Sequence, residues 1–175
     1  MEELSMHVLD IVENSLEVGA TTIEIELLED LQADRLEIIV RDNGPGMTPE
    51  QVSAARDPFF TTRTTRRVGM GLALLDQAAR AAEGGLTIDS EAGAGTLVRA
   101  HFRHGHLDRA PIGDMETTLL VLLAAHAELC IRFRHRRGDA GFELDSSAIK
   151  AETLPARLTR LRAEIRRGEE SLRQT

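Results

Sequence analysis

Three polar residues near the start of the chain, Asp10, Glu13 and Asn14, have the types and spacing of a metal and water site. Residues 3–18 have helical periodicity, so Asp10 and Asn14 share one face of a helix, with His7 one turn earlier. A carboxylate and an amide on one stripe can hold hydrated Mg²⁺ and orient a water molecule. Alone, such a stripe is more often a solvated helix face, so the rest of the chain decides its meaning.

A second group, residues 42–47 (DNGPGM), follows a predicted strand. Gly44 and Gly46 let the backbone turn tightly and approach a flat ligand closely. The carboxylate of Asp42, at the edge of the sheet, can then accept a hydrogen bond from an exocyclic amine such as that of adenine. The alternative is an ordinary surface turn, which Asn-Gly-Pro-Gly sequences often form.

A third group, residues 68–72 (VGMGL), opens a predicted helix. Glycines at a helix N-terminus present free backbone N–H groups at the positive end of the helix dipole, which favours phosphate. Arg63, Arg66 and Arg67 lie just upstream, and their bunching in an acidic region is typical of an anion site. The segment is not a P-loop, because no Gly-Lys-Ser/Thr follows.

The elements that must position these groups can be predicted from the patterns of the chain. The order of helices and strands favours an α+β fold, a two-layer α/β sandwich with helices on one face of a mixed or antiparallel sheet. A turn at residues 93–95 precedes Thr96, whose hydroxyl can reach a ligand beside Asp42. A change in composition at residues 103–111 predicts a domain over residues 1–105 and a C-terminal α/β appendage over residues 106–175. We predict helices at 3–18, from 48, and at 69–83, 112–128 and 154–172, and strands at 21–28, 35–41, 86–90, 96–102, 129–136 and 141–145.

Composition limits the class of protein. Hydrophobic residues make up 42% of the 175 residues and aromatic residues 3%, which permits a core but argues against a stacking surface for nucleic acid. Residues 1–102 carry 18 acidic and 8 basic residues, against 11 and 13 in the rest. The single Cys130, the absence of a signal-like N-terminus and the absence of a membrane-length apolar run predict a cytoplasmic protein. The apolar stripe of residues 154–172 can pack within the chain or against a second copy, and the first is favoured.

In their order along the chain, these groups resemble the motifs of the histidine-kinase-like ATPase (GHKL) superfamily of gyrase, a heat-shock chaperone, histidine kinases and MutL. Five motifs over residues 1–102 carry the resemblance. It implies the superfamily's α/β sandwich and its Bergerat-type ATP site. The motifs are an N-box like that of MutL at residues 9–21 (LDIVENSLEVGAT), the G1 box at 42–47, a histidine-kinase F-box at 57–63 (DPFFTTR), the G2 box at 69–72 (GMGL) and the G3 element at 93–96 (GAGT).

The resemblance also implies roles for individual residues and the cofactors ATP and Mg²⁺. Asn14 would bind Mg²⁺, Asp42 would bind the adenine amine with support from Thr96, and residues 56–68 would form a lid. The residues expected to bind the nucleotide and its metal are Asn14, Asp42, Gly44, Gly46, Met47, Arg63, Arg66, Arg67, Gly69, Met70, Gly71, Leu72 and Thr96.

The chain departs from the superfamily at the catalytic base. Hydrolysing members usually have Glu four residues before the N-box Asn, whereas this chain has Asp10, one methylene shorter. A catalytic base must first lie within hydrogen-bond reach of the proton that it takes, and only then does its pKa matter. The shorter carboxylate of Asp10 can therefore act through an extra water, act slowly or not act. Asp10 and Glu13 are therefore the candidate catalytic residues, with His7 as a third.

The resemblance over the whole chain is to small stand-alone ATP-binding proteins encoded near iron-only hydrogenase genes, which share residues 102–111 (FRHGHLDRAP). Only a few residues precede the N-box, so a complete sensor histidine kinase is not expected. His101, His104 and His106 raise a metal alternative for this run. Alternation along an extended segment separates His101 from His104, so a linker packed on the sandwich, or a partner contact, is favoured. The basic residues 132–137 are expected to be a solvated hairpin edge, and His135 is given no special role.

We expect an ATP-dependent regulatory or maturation accessory, in which ATP orders the lid and the C-terminal appendage transmits that state to a protein partner. Three alternatives stay open. They are a protein kinase that phosphorylates a partner in trans, a slow ATPase, and a nucleotide-binding switch without catalysis. Whether the protein forms a homodimer is open as well.

Overall fold

The computed structural model describes residues 3–55 and 71–174, which form a mixed six-stranded sheet and five helices. The helices are α1 (Leu4–Glu17), α2 (Pro49–Ala55), α3 (Gly71–Ala81), α4 (Met115–Ala125) and α5 (Leu154–Arg173), and the strands are β1 (Thr22–Asp30), β2 (Arg35–Asp42), β3 (Gly85–Glu91), β4 (Gly95–Arg103), β5 (Cys130–Arg137) and β6 (Ala140–Asp145). The strand order is β3-β4-β2-β1-β5-β6. Only β1 and β5 pair in parallel in this part of the chain. The predicted α+β class is confirmed.

The sheet buries one face, because apolar residues alternate with polar ones along its strands. One row crosses five strands from Ile88 through Val98, Val40 and Ile25 to Phe133, and every member of the row is buried. These residues share a single core cluster with the apolar stripes of α1, α4 and α5. The helices therefore cover the face that carries this row. No helix in the described ranges is long and apolar enough to cross a membrane.

The segment after residue 105 builds on the same sheet. Its strand β5 pairs with β1, and β6 forms the outer strand at that side. The stripe of α5 packs within the chain, since Leu161, Ile165 and Leu172 are buried and α5 contacts α4 and β6. The two parts of the chain thus share one sheet and one core, while the predicted boundary at residue 105 stays a prediction.

The sequence predicted that the basic residues of β5 form a solvated hairpin edge. The structure instead places β5 between β1 and β6. Arg132 contacts Glu24 of β1 at 2.9 Å and Asp145 of β6 at 3.5 Å. Arg134 likewise bridges the two neighbouring strands, through Glu26 and Glu143. The acidic residues of β1 supply the cross-strand partners that a strand of alternating arginines needs to lie inside a sheet.

His135, to which the sequence gave no role, is the centre of a buried ionic cluster on the helix-covered face. Its Nε2 lies 3.0 Å from Glu29 Oε1 and its Nδ1 lies 2.8 Å from Glu169 Oε1 of α5. The hydrogen bond from His135, opposed by burial, lowers the pKa of Glu29 to about 2. Burial alone would lower the pKa of His135, but the bonds to Glu169 and Glu29 outweigh it and raise that pKa to about 9.

We expect the free energy of unfolding to fall as the pH rises from about 6.5 to about 9, because the folded protein holds a proton on His135 that the unfolded chain releases. A shift of this size corresponds to a loss on the order of 3 kcal/mol. Below about pH 4.5 the protonation of Glu29 adds an acid-side loss. Urea denaturation at pH 6.5 and pH 9 measures the effect, and His135→Gln, which cannot take the proton, should remove the alkaline part. An equal alkaline loss in that variant would contradict this account.

The histidine-rich run at the end of β4 packs on the sandwich, which is one of the two alternatives that the sequence favoured. Arg103 donates to Asp34 at 2.8 Å and to Glu83 at 3.1 Å, and both carboxylates belong to turns within residues 1–105. His104 Nε2 lies 2.8 Å from Glu29 Oε2, so the run also joins the cluster around His135. Among the described residues, no three His, Cys, Asp or Glu side chains are grouped as a metal site.

Candidate nucleotide-binding site

The carboxylate of Asp42, at the end of the central strand β2, is held from three directions. Its Oδ1 accepts from the backbone N–H groups of Gly44 at 2.8 Å and Thr96 at 3.2 Å. Its Oδ2 accepts from the hydroxyl of Ser15 at 2.8 Å, and Ser15 lies on α1. Three donors on one half-buried carboxylate fix its orientation and leave it hydrogen-bonded as an acceptor.

The loop after Asp42 is anchored to the start of β1 by Asn43. The side-chain oxygen of Asn43 accepts from the backbone N–H groups of Thr21 and Thr22, both at 2.9 Å. A side chain at Gly44 would press on the Asp42 carboxylate, because its Cβ would lie 2.9 Å from Oδ1. Gly46 has a φ of +69°, and a Cβ there would overlap the carbonyl of Glu91. Both glycines are therefore required by the loop itself, whatever binds beside it.

Ser90 of β3 ties this loop to the turn between β3 and β4. Its hydroxyl accepts from the N–H of Met47 at 2.9 Å and donates to the carbonyl of Gly95 at 2.9 Å. It also lies 3.0 Å from the Thr96 hydroxyl. Asp42, Thr96 and Ser90 occupy one cross-strand row, so the ends of three strands converge here.

A cleft of about 590 Å³ opens at these strand ends. Asp42, Ser90 and Thr96 line it together with Val52 of α2 and Ile88 of the core. The lining mixes apolar side chains with charged and hydroxyl groups, and a volume of this size is in the range of small-molecule sites. In the described part of the chain, the polar residues of α1 do not line this cleft.

The polar stripe of α1 meets the N-terminus of α3 instead. A Cβ atom added to Gly71, the first residue of α3, would lie 3.6 Å from Asp10 Oδ2 and 3.9 Å from Asn14 Nδ2. Asp10 and Asn14 are half-buried, whereas Glu13 is exposed. Leu72 packs its side chain against the core, and His7 is buried. The structure thus brings Asp10, Asn14 and the start of α3 together.

Several predicted site residues lie outside the described residues. They are Arg63, Arg66, Arg67, Gly69 and Met70, and with them residues 56–68, the predicted lid. Their assignment to phosphate binding stays a prediction.

Sequence reasoning missed Ser15 and Ser90 as site residues. Ser15 belongs to the buried stripe of α1, and a hydroxyl in an apolar stripe needs a partner, which was a usable signal. Ser90 carried no comparable signal, because its partners Met47 and Gly95 are brought near it only by the pairing of the strands.

The fold and the convergence of these residues at the strand ends agree with the comparison with known proteins. The sequence profile described as histidine kinase-, DNA gyrase B- and HSP90-like ATPase matches residues 2–106. The chain therefore belongs to this ATPase family, the superfamily that its motifs resemble.

Individual relatives match parts of the chain. The C4-dicarboxylate transport sensor protein DctB of Pseudomonas aeruginosa is 41% identical over 81 residues, 46% of this chain and 13% of that protein. The DNA mismatch repair protein MutL of Chlamydia trachomatis is 41% identical over 63 residues, 36% of this chain and 10% of that protein. The chain spans only a small part of the length of each. Among solved structures, the Aquifex aeolicus MutL ATPase domain complexed with ADP aligns with a TM-score of 0.52 at 21% identity, covering 92% of this chain and 69% of that one.

Proposed function

We propose that this protein binds ATP·Mg²⁺ and acts as an ATP-dependent regulatory or maturation accessory. The observation that carries the proposal is the fixed carboxylate of Asp42, which lines a cleft of about 590 Å³ at the strand ends. The ATPase family to which the chain belongs supports the choice of nucleotide. The further resemblance to proteins encoded near iron-only hydrogenase genes remains part of the proposal.

The adenine end of the nucleotide belongs beside Asp42. A carboxylate that accepts from Ser15, Gly44 and Thr96 offers its remaining lone pairs as acceptors to a ligand, so it favours a base with an amine at that point. Gly46 keeps a side chain away from the adjoining turn, where its Cβ would overlap the carbonyl of Glu91. These features favour adenine over a base that offers a carbonyl oxygen there.

The phosphate end belongs where α1 meets α3. Backbone N–H groups at the start of α3 and the helix dipole favour phosphate at Gly71, and we assign Gly69 and Met70 the same role. The oxygens of Asn14 and Asp10 are the hard ligands that Mg²⁺ takes, so the residues present fit the ion. When bound, Mg²⁺ would neutralise phosphate charge. Asp10 is the first candidate for orienting a water molecule, because Glu13 is exposed.

The regulatory role rests on the way the C-terminal segment, residues 106–175, is built onto residues 1–105, which we call the nucleotide half. Strand β5 extends the same sheet and α4 contacts α1, the helix that carries Asp10 and Asn14. A change in the nucleotide half therefore has a direct path to the surface of the C-terminal segment, where we place the contact with a protein partner. Order in residues 56–68, set by the γ-phosphate, would be the switch.

Calorimetric titration of ATP into the wild-type chain, with Mg²⁺ and with EDTA, tests the proposal, together with γ-labelled ATP followed in parallel. We expect saturable binding that needs Mg²⁺, slow release of labelled phosphate at most, and no label on protein. Label transferred to this chain or to an added partner would identify a kinase instead. Absence of ATP binding would overturn the proposal.

A further inference from the structure

The first turn of α1 is capped by a segment more than a hundred residues away in sequence. The N–H of Leu4 donates to the carbonyl of Pro111 at 2.9 Å, and the N–H of Ser5 donates to that of Ile112 at 2.8 Å. Glu3, the N-cap residue, makes no side-chain capping bond. The opening N–H groups of a helix have no partner within it, so the linker between β4 and α4 supplies partners for two of them.

The end of this linker is packed tightly against the same helix. Gly113 has a φ of +83°, and a Cβ there would overlap the side chains of Glu3 and Ser5 and lie 2.7 Å from Glu3 Cβ. The Glu3 carboxylate can swing away, but Ser5 is buried and Glu3 Cβ is fixed to the backbone of the N-cap. A side chain at Gly113 therefore forces the linker and the start of α1 apart, because Glu3 Cβ cannot rotate away.

On its C-terminal side, Gly113 is followed directly by Asp114, the N-cap residue of α4. The side chain of Asp114 caps that helix, accepting from the N–H of Thr117 at 2.9 Å and from its hydroxyl at 2.6 Å. Helix α4 in turn is buried in the C-terminal part of the core, through Leu119 and Leu123 among others. Residues 111–113 thus form a short joint with α4 on one side and the N-terminus of α1 on the other.

Helix α1 reaches both ends of the candidate site. Asp10 and Asn14 face the start of α3, and Ser15 donates to the carboxylate of Asp42. These residues lie roughly 10–16 Å along the helix from its first turn, at 1.5 Å per residue. A helix that packs as a rigid body carries a displacement at its start along that whole distance.

We propose that residues 111–113 are a positioning segment of the nucleotide site, through which the C-terminal segment sets the place of α1 and hence the affinity for nucleotide. The inference rests on the proposed function and adds the route of its regulation. By linkage, nucleotide must in return tighten the joint between the linker and α1.

The test compares Gly113→Ala with Gly138→Ala. Gly138, in the turn between β5 and β6, also has a positive φ, +56°, but no atom of the described residues, its chain neighbours aside, lies within 4 Å of the position of its Cβ. Both variants strain the backbone, whereas only the first displaces α1. Calorimetric titration of ATP·Mg²⁺ at a temperature where both proteins are fully folded should give a Kd raised about tenfold in Gly113→Ala and within about twofold of wild type in Gly138→Ala. Equal values of Kd in the two variants would overturn the inference and leave the proposed function intact.

Hydrogen exchange in the wild-type protein gives a second measurement that does not depend on the folding of a variant. Saturation with ATP·Mg²⁺ should slow exchange of the Leu4 and Ser5 amides more than that of amides in α5, because the linker carbonyls protect the former. Equal slowing in both helices would contradict the coupling. Absence of ATP binding to the wild type, in contrast, would remove the proposed function itself.

Discussion

Replacing Asp42 with asparagine is expected to weaken ATP binding about a hundredfold, the equivalent of roughly 3 kcal/mol. The substitution keeps the shape of the side chain but turns one of its oxygens into an NH₂ donor. If the amide oxygen stays on the N–H groups of Gly44 and Thr96, the NH₂ group faces Ser15 and the adenine amine. If the amide flips, the NH₂ group faces two backbone N–H donors. A donor meets a donor in both orientations.

Calorimetric titration of ATP·Mg²⁺ measures this loss, with Asp89→Asn as the control. Asp89 lines the same cleft and is exposed, so its substitution removes the same charge without touching the hydrogen bonds of Asp42. We expect this control to bind ATP within about twofold of wild type, because exposed charges contribute little. Equal losses in both variants would mean that charge around the cleft, and not the hydrogen bond to adenine, controls affinity.

A nucleotide without the 6-amino group sharpens the same comparison. Purine riboside triphosphate offers no amine to Asp42, so we expect wild type to bind it more weakly than ATP. Asp42→Asn should then bind the analogue about as well as wild type does. A hundredfold loss for the analogue as well would place the effect of Asp42 in folding of the loop, which thermal unfolding of the variant would reveal.

The fold was predictable where local patterns decide it. The alternation in β1 and β2 and the periodicity of α1 and α5 gave elements within two residues of those observed, because each buries one face of a regular element. Which strand pairs with β5 on the side away from β6 was not predictable. The pairing of β5 with β1 joins residues 108 apart, such as Arg132 and Glu24, and no local signal records which strand a hairpin will join.

The candidate site divides in the same way. Asp42, Gly44 and Gly46 could be proposed from the sequence, because an acceptor carboxylate followed by two turn glycines is an unusual combination of residue types, and their roles in binding stay predictions. Ser15 and Ser90 act through hydrogen bonds across elements, and serine is common at positions with no such role. His135 was missed for a similar reason, since its partners Glu29 and Glu169 come from other elements.

Gly95 is the glycine whose loss should damage both the fold and the site. Its φ is +85°, and a Cβ there would overlap the carbonyl oxygen of Asp42 and lie 3.3 Å from Asn43 Cα. These are backbone atoms of β2 and the loop after it, so they cannot rotate away as the end of a side chain can. Relief requires β4 to move away from β2 where Thr96 donates to Asp42.

We therefore expect Gly95→Ala to lower the free energy of unfolding by about 3 kcal/mol or more, from left-handed strain and overpacking together, and to abolish ATP binding in the fraction that folds. Gly93, in the same turn, has a φ of +86°, but in the part of the chain that the structure describes only its own chain neighbours come near its Cβ position. Gly93→Ala should lose only about 1–2 kcal/mol, the cost of the strain alone, and keep its affinity for ATP. Urea denaturation of the two variants at one pH measures the difference. Equal destabilisation would show that strand β4 can yield at Gly95, and that contact between the turn and Asp42 does not hold the site together.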